Sequence, residues 1–312
     1  MDRQDIIEKA YSRKEELEFS NRDSRENALR IFLNLASGDI GKGDITTETL
    51  FTKDKDTKAG IIAKQDGIIA GCDETLMFLE NAGIKADRLI TDGNSVRKSE
   101  EIMAIRGSAK LFLSYERTIL NIMQRMSGVA TITEKILSMA KKSKNNSRIA
   151  GTRKTLLGAL DHKAISVGGG FSHRLNLEEA ILIKKNHIEY SGKSIKDLLE
   201  AAWNERKNAR FIEIEASNKN SAIKSAEAFK VLQKNYDEYL FPCIIMLDNF
   251  SPEEIKKTIA EIEKKNLYDN AVIEVSGGID EKNIKKFCIE GVDVISMGSL
   301  THSARTLDLG IK

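Results

Sequence analysis

The 312-residue chain carries 49 Lys and Arg against 47 Asp and Glu, a net charge of +2, and only two prolines. That balance argues against a dedicated nucleic-acid binder, which needs a basic excess over a whole face. No apolar run reaches membrane length, no signal peptide is evident, and Cys72, Cys243 and Cys288 are too scattered for a zinc pattern, so a reducing cytoplasm is the expected location.

Residues 1–27 read as a charged extension of one or two surface helices. Its apolar stripe is thin (Ile6, Ile7, Tyr11, Leu17, Phe19) and offers no chemistry. From Ala28 a helical pattern leads into the turn Gly41-Lys42-Gly43-Asp44, where Asp44 or Thr46 can cap the next segment. Short β-rich pieces at Lys58–Lys64, Gly67–Gly71 and Ile102–Ile105, with a helix over 73–82, outline a small α+β domain spanning 28–126. Leu111 to Met126 reads as a helix ended by Ser127-Gly128. Arg117 and Arg125 fall near one another around it, and as helix arginines they read as solvated.

From 127 to 312 the rhythm becomes strand, then helix. Strands are expected at Arg148–Gly151, Ala164–Val167, Ile181–Lys184, Phe211–Glu215, Ile244–Asp248, Val272–Ser276 and Val294–Gly298. Helices are expected at 194–208, 221–235, 252–265 and 282–290, with Ser251 capping the third. This spacing is that of βαβ units, which close into a barrel more naturally than into a doubly wound sheet.

The strand ends are chemically loaded. Arg153, Lys154, His162, Lys163, His173, Arg174, Lys184, Lys185 and His187 crowd into one segment around Gly168-Gly169-Gly170. Such cations suit a substrate with several carboxylate or phosphate groups; a basic surface loop is the bland alternative. Glu213 and Glu215 share one face of their strand, and a carboxylate pointing into a barrel needs cationic or metal partners. Ser276-Gly277-Gly278 and Gly298-Ser299 end the last two strands, where β/α barrels commonly bind phosphate through backbone N–H groups. His187 and His302 read as loop-orienting residues, His162 equally well as an exposed loop residue, and Trp203 as packing.

Several blocks together resemble quinolinate phosphoribosyltransferases: Glu116–Asn121, Ser127–Thr131, Thr152–Thr155, Gly168–Gly170 with His173-Arg174, Leu182–Lys184 with Asn186-His187, Ile212–Glu215, Met246–Asn249, Ser276–Gly278, Thr301–Ser303 and the Gly43–Thr46 turn. The resemblance runs in order from about Ala28 to Leu309. It implies an α/β fold: an incomplete parallel (β/α) barrel of six to seven strands plus an N-terminal α+β sandwich domain, with the last residues packing back on the latter. It implies transfer of a phosphoribosyl group from phosphoribosyl pyrophosphate to quinolinate, with loss of CO2, giving nicotinate mononucleotide for NAD synthesis. By motif position, Arg153, His173, Arg174 and Lys184 would face the quinolinate carboxylates and nearby phosphates, and Lys154 the phosphoribosyl pyrophosphate. Glu215 and Asp248 would hold the ribose hydroxyls and Mg²⁺, and Ser276, Gly277, Gly278 and Gly298 the 5′-phosphate. Lys154, Lys184, Glu215 and Asp248 are the expected catalytic set. Arg117 would act across the interface of a homodimer or higher even oligomer.

Two departures stand out. After Thr155 the family continues with Pro-Gly and then arginine, where this chain has Leu156-Leu157-Gly158-Ala159-Leu160; and Lys184-Lys185-Asn186-His187 replaces Lys-Asp-Asn-His. A pyrophosphorylase using nicotinate or another anionic acceptor is the alternative enzyme, and a silent sensor of a phosphorylated ligand the non-enzymatic one. Retention of Glu215 and Asp248 speaks against the sensor, which has no need of carboxylates among anions.

Overall fold

The computed structural model describes residues 2–143, 147–236, 238 and 241–312. The chain divides into two compact units, one of Arg13–Lys135, Thr155–Gly169 and Leu300–Lys312, the other of Met1–Ser12, Ile136–Lys154 and Gly170–Ser299.

The first unit is built on antiparallel strands β1 (Asp56–Ala63), β2 (Gly67–Ile68), β3 (Lys85–Arg88), β4 (Ser95–Val96) and β5 (Glu101–Ser108). In its four-stranded sheet β1 lies between β5 and the C-terminal strand Leu309–Ile311, and β3 takes the far edge. Asp44 caps the short helix Ile45–Leu50, its carboxylate accepting the Thr47 N–H at 3.0 Å. The helix beginning at Ala109 runs unbroken to Lys141, so Ser127-Gly128 does not end it and the expected division at 126/127 falls inside a helix. These small residues serve close approach instead. The Ser127 hydroxyl accepts the Ala70 N–H at 3.0 Å, and a Cβ on Gly128 would lie 2.0 Å from the Arg305 carbonyl oxygen.

Residues Ala164–Val167, expected as a strand, form the last turn of the helix Ala159–Val167. Leu160, Ala164 and Ile165 are buried at helical spacing, and four apolar-rich residues are too few for periodicity to separate the two structures. His162 is buried there rather than exposed.

The second unit holds six parallel strands, β6 (Arg148–Ala150), β7 (Ile181–Ile183), β8 (Ile212–Ala216), β9 (Cys243–Asp248), β10 (Val272–Ser276) and β11 (Val294–Ser296). Their order is β6-β11-β10-β9-β8-β7, and Phe171 adds a single parallel bridge to Ala150 at the β6 edge. Among the described residues no ladder joins that edge to β7, so the barrel is incomplete.

The helix Pro252–Lys264 illustrates the outer layer. Ser251 and Glu254 form a capping box, Pro252 takes the first turn, and Ile255, Ile259 and Ile262 bury one stripe. The helix expected over 282–290 is only a 3₁₀ turn, Ile284–Lys286, preceded by Asp280, whose carboxylate accepts the N–H groups of Lys282 and Asn283.

The N-terminal segment also departs from expectation. Arg3–Tyr11 is a helix capped by Asp2, and its apolar stripe is not at the surface. Ile7, Ala10 and Tyr11, each 0 % exposed, join Ala180, Phe211, Ile244, Val272 and Val294 at the amino-terminal ends of β7–β11, with Ala150, in one apolar cluster. Arg3 ties the helix down. Its guanidinium donates to both Asp293 oxygens (2.7 and 2.6 Å) and to the carbonyls of Tyr268 and Ala271. No described helix is long and apolar enough to cross a membrane.

Candidate active site

Successive inward residues of a barrel strand lie two apart, so each strand contributes to stacked layers. In this barrel Glu213 and Glu215 on β8, Met246 and Asp248 on β9, and Glu274 and Ser276 on β10 stand in such pairs. The register aligns them, with Glu215 opposite Met246, Met246 opposite Glu274, and Asp248 opposite Ser276. The upper members, at the carboxyl ends, open on a cavity of ≈ 460 Å³.

Most of the residues expected at the site line that cavity: Arg153, Lys154, His173, Arg174, Lys184, Glu215, Asp248, Ser276, Gly277 and Gly278. Gly298, two residues past the end of β11, is not in the lining, and Arg117 belongs to the first unit. Thr152, Leu182, Met246, Asn249 and Glu274 also line the cavity, and none of them was expected there. Glu274 could have been found by the two-residue periodicity that paired Glu213 with Glu215, since it stands two before Ser276.

The acids at the rim are held by local hydrogen bonds. Glu215 Oε2 accepts the Lys185 N–H at 3.0 Å, and Asp248 Oδ2 accepts the Asn249 side-chain amide at 2.8 Å. Asn249 sits in left-handed backbone (φ +59°), and its N–H donates to the Ser276 carbonyl at 2.9 Å. Next to it Gly277 (φ +103°) and Gly278 (φ +62°) adopt conformations that favour glycine. His187 orients its turn as expected, its Nδ1 accepting the Lys184 N–H at 2.9 Å.

The floor beneath is a buried polar cluster. His173 Nε2 lies 2.8 Å from Glu213 Oε2 and 3.7 Å from Glu274 Oε2, while Tyr11 donates its hydroxyl to Glu274. His173 Nδ1 accepts the Arg174 N–H at 2.8 Å, so the ring hydrogen belongs on Nε2, facing the acids. Both ring nitrogens therefore face protein groups.

Burial pushes Glu213 up to about 8, with the Glu215 charge adding to it and Arg174 opposing. Burial also pushes Glu274 up to about 8, reinforced by Glu213 and opposed by His173 and Tyr11. Burial and then neighbouring Arg153 hold the Arg174 guanidinium below its usual range. Among the described residues, the grouping whose ligand atoms lie within 4.8 Å of one another is His173, Glu213 and Glu274, not a set around Glu215 and Asp248.

In the first unit, Arg125 is not the solvated arginine expected. Its Nε and one terminal nitrogen each donate to Asp161 at 2.9 Å, and the same carboxylate accepts the N–H groups of Leu156 and Leu157. The departure at Leu156–Leu160 is thus a short loop, Leu156–Gly158, pinned by an acid in the first turn of the helix Ala159–Val167 that follows it. Burial raises Asp161, but hydrogen bonds from Arg125 and Thr155 outweigh it and leave the carboxyl below its usual range. Trp203 packs on Tyr236 and Phe241, as expected of a structural tryptophan.

Comparison with known proteins covers nearly the whole chain. Residues 129–312 match the model of the quinolinate phosphoribosyl transferase C-terminal domain, and residues 44–127 that of the N-terminal domain. A Methanocaldococcus jannaschii protein, named "Probable nicotinate-nucleotide pyrophosphorylase (carboxylating)", is 39% identical over 292 residues, covering 92% of this chain and 97% of its own. A Nicotiana tabacum protein, named quinolinate phosphoribosyltransferase (decarboxylating) 1b, is 31% identical over 92% of this chain and 81% of its own. The solved nicotinate-nucleotide pyrophosphorylase of Francisella tularensis superposes with a TM-score of 0.78 at 30% identity, covering 92% of this chain and 96% of that one.

Proposed function

Because the chain belongs to the quinolinate phosphoribosyltransferase family, we propose that its barrel cavity joins quinolinate to phosphoribosyl pyrophosphate, releasing pyrophosphate and CO2 and leaving nicotinate mononucleotide for NAD synthesis. The observation that carries this reading is one cavity holding Arg153, Lys154, Arg174 and Lys184 together with Glu215 and Asp248. Two polyanionic substrates need the cations, and a ribose gaining positive charge needs the acids.

Catalysis is placement and charge compensation. Arg153, Arg174 and Lys184 hold the acceptor carboxylates and set the pyridine nitrogen in line with C1 of the ribose. Glu215 and Asp248 bind the ribose hydroxyls and favour the positive charge that builds as the C1–oxygen bond breaks. Lys154 balances the departing pyrophosphate. Ser276, Gly277 and Gly278, with Gly298 beyond β11, offer hydroxyl and backbone N–H groups to the 5′-phosphate. His173 lines the same cavity with its ring nitrogens facing Glu213 and the Arg174 backbone, so that it supports Arg174 beside its expected role at the carboxylates. Once the ring nitrogen carries the ribose, its positive charge takes up the electron pair left at C2 by departing CO2, and a proton then adds there.

Glu215 and Asp248 are the residues that would hold a magnesium ion on this reading. Each has one oxygen held by a neighbouring N–H, an arrangement that suits a hard cation taking one or two carboxylates plus substrate phosphates. Bound there, Mg²⁺ would supply charge neutralisation for the pyrophosphate leaving group.

Arg117, whose side chain is 60% exposed with a 3.8 Å approach to Glu116, is the arginine we assign to the site of a second copy, and the active unit on this reading is a two-fold dimer. A fully active monomer would sink that part. The test of the whole is a product assay with phosphoribosyl pyrophosphate, Mg²⁺ and quinolinate or nicotinate. Nucleotide and CO2 in equal amounts from quinolinate alone is the expected result; turnover of nicotinate instead would reassign the acceptor.

A further inference from the structure

The matched family domains begin at residue 44, yet the floor of the cavity is completed by a side chain from residue 11. The helix Arg3–Tyr11 seals the amino end of the barrel with Ile7 and Ala10, for which apolar side chains suffice. Tyr11 goes further. It is fully buried, stacked on Phe211 (centroids 5.9 Å, planes 15° apart) and edge-on to His173 (5.6 Å, 81°), with its hydroxyl on Glu274. A phenol hydroxyl in such surroundings needs a partner, and the partner here is the carboxyl group of Glu274, which lines the cavity.

From that hydroxyl a series of polar contacts, with one 3.7 Å approach between Glu274 and His173, leads to Arg174, which lines the cavity. Tyr11 fixes Glu274 Oε2; that oxygen and Glu213 Oε2 face His173 Nε2; His173 Nδ1 takes the Arg174 N–H; and the Arg174 guanidinium donates to the Ala180 carbonyl at 2.9 Å. Ala180 belongs to the same apolar cluster as Ile7, Ala10 and Tyr11, so the N-terminal helix borders this chain of contacts at both ends.

We propose that Tyr11 is a positioning residue of the transferase site, which through Glu274 and His173 sets the orientation of Arg174 and so the fit of the acceptor's carboxylates. This role rests on the transferase reading of the cavity. It makes the N-terminal helix part of the active-site architecture of this chain, and it predicts an effect on one substrate rather than on both. On that reading phosphoribosyl pyrophosphate binds at the rim, formed by Lys154, Asp248 and Ser276–Gly278, and Tyr11 is not among the lining residues.

The test is steady-state kinetics on the full chain with Tyr11→Phe, which keeps the ring and removes the hydroxyl. Loss of one hydrogen bond to an ionisable group should raise KM for quinolinate about tenfold while KM for phosphoribosyl pyrophosphate stays within about twofold. Glu274→Ala, which removes the acceptor altogether, should show the same split, and the double variant should be little worse than the poorer single one, since both act through one contact. Ile7→Ala, from the same helix, should lower the melting temperature and leave both KM values alone. Equal effects on both substrates, no effect, or full multiplication in the double variant would each overturn the proposal. A wild-type protein that makes no nucleotide would refute the activity instead. Calorimetric titration with pyridine-2,3-dicarboxylate then decides the positioning role. About tenfold weaker binding by Tyr11→Phe upholds it, and equal binding, or none by either protein, ends it.

Discussion

Gly277→Ala is a one-methyl change whose consequences can be followed atom by atom. The new Cβ would stand 2.3 Å from Asn249 Oδ1, 2.6 Å from its Cγ and 2.8 Å from its backbone nitrogen. Rotating the Asn249 side chain relieves the first two contacts but not the third. That nitrogen is fixed by its hydrogen bond to the Ser276 carbonyl, and the residue already sits at φ +59°. Alanine at φ +103° adds strain of about 1–3 kcal/mol. At roughly 2–4 °C per kcal/mol for a chain of this size, melting should fall by about 5 °C. The larger effect is on activity. The displaced Asn249 amide no longer holds Asp248, so turnover at saturating substrates should drop roughly 10²-fold, the scale for losing one preorganised electrostatic group. Gly278→Ala is the internal comparison. Its φ is +62° but nothing lies within 4 Å of the added methyl, so it should cost only about 1–2 kcal/mol of stability and act through a raised KM for phosphoribosyl pyrophosphate. Measuring CO2 and nucleotide release beside thermal melts separates the two. Gly277→Ala with wild-type turnover would refute the coupling of this turn to Asp248.

Three further outcomes are expected. Lys154→Ala and Asp248→Ala should fold normally and lose roughly 10²–10³ in turnover; unchanged rates would refute their assigned roles. Arg125→Ala strands the fully buried Asp161 without its bidentate partner, and urea unfolding should register a loss of about 3–5 kcal/mol; a loss near zero would mean the pair contributes nothing. Glu274, held up to about 8 by burial with Glu213 adding and His173 and Tyr11 opposing, keeps its proton in the fold where the unfolded chain releases it near 4.5. Its penalty is therefore absent below about pH 4.5, grows toward pH 8 at up to about 1.4 kcal/mol per pH unit, and is constant above. The stability difference between Glu274→Gln and wild type should widen in favour of the variant from pH 5 to 8, and a flat difference would show that Glu274 is ionised throughout.

The rim of the site was legible in the sequence for a physical reason. Parallel strands joined by helices must all point the same way, so the residues just past each apolar run gather at one mouth, and Arg153, Lys154, Lys184, Glu215, Asp248 and Ser276 do so. The same logic misplaces what depends on hydrogen-bond geometry. His173 is where it was expected, but the bond from the Arg174 N–H to its Nδ1 fixes which way the ring looks, and nothing in the letters encodes that. Ser127-Gly128 reads as a stop because serine and glycine disfavour helices in isolation. In the fold both are required small, so that other backbone segments can approach, and tertiary contact overrides propensity.

The N-terminal helix was misread by the same kind of override. Three buried apolar residues in a nine-residue charged helix are too few to distinguish a plug from a surface helix. The deciding contacts lie far along the chain: Arg3 binds Asp293 across 290 positions, and Tyr11 binds Glu274 across 263. The opening that this helix fills does not exist until the strands have assembled, because its walls are residues at or next to the starts of β7–β11. Burying a glutamate on β10 would by itself be costly, and the phenol hydroxyl lowers that cost from a segment outside the matched domains. A barrel with acids on its inner face thus selects for a polar tip on whatever closes its amino end. That constraint belongs to the closed barrel, and a reading that takes each segment by itself has no means to find it.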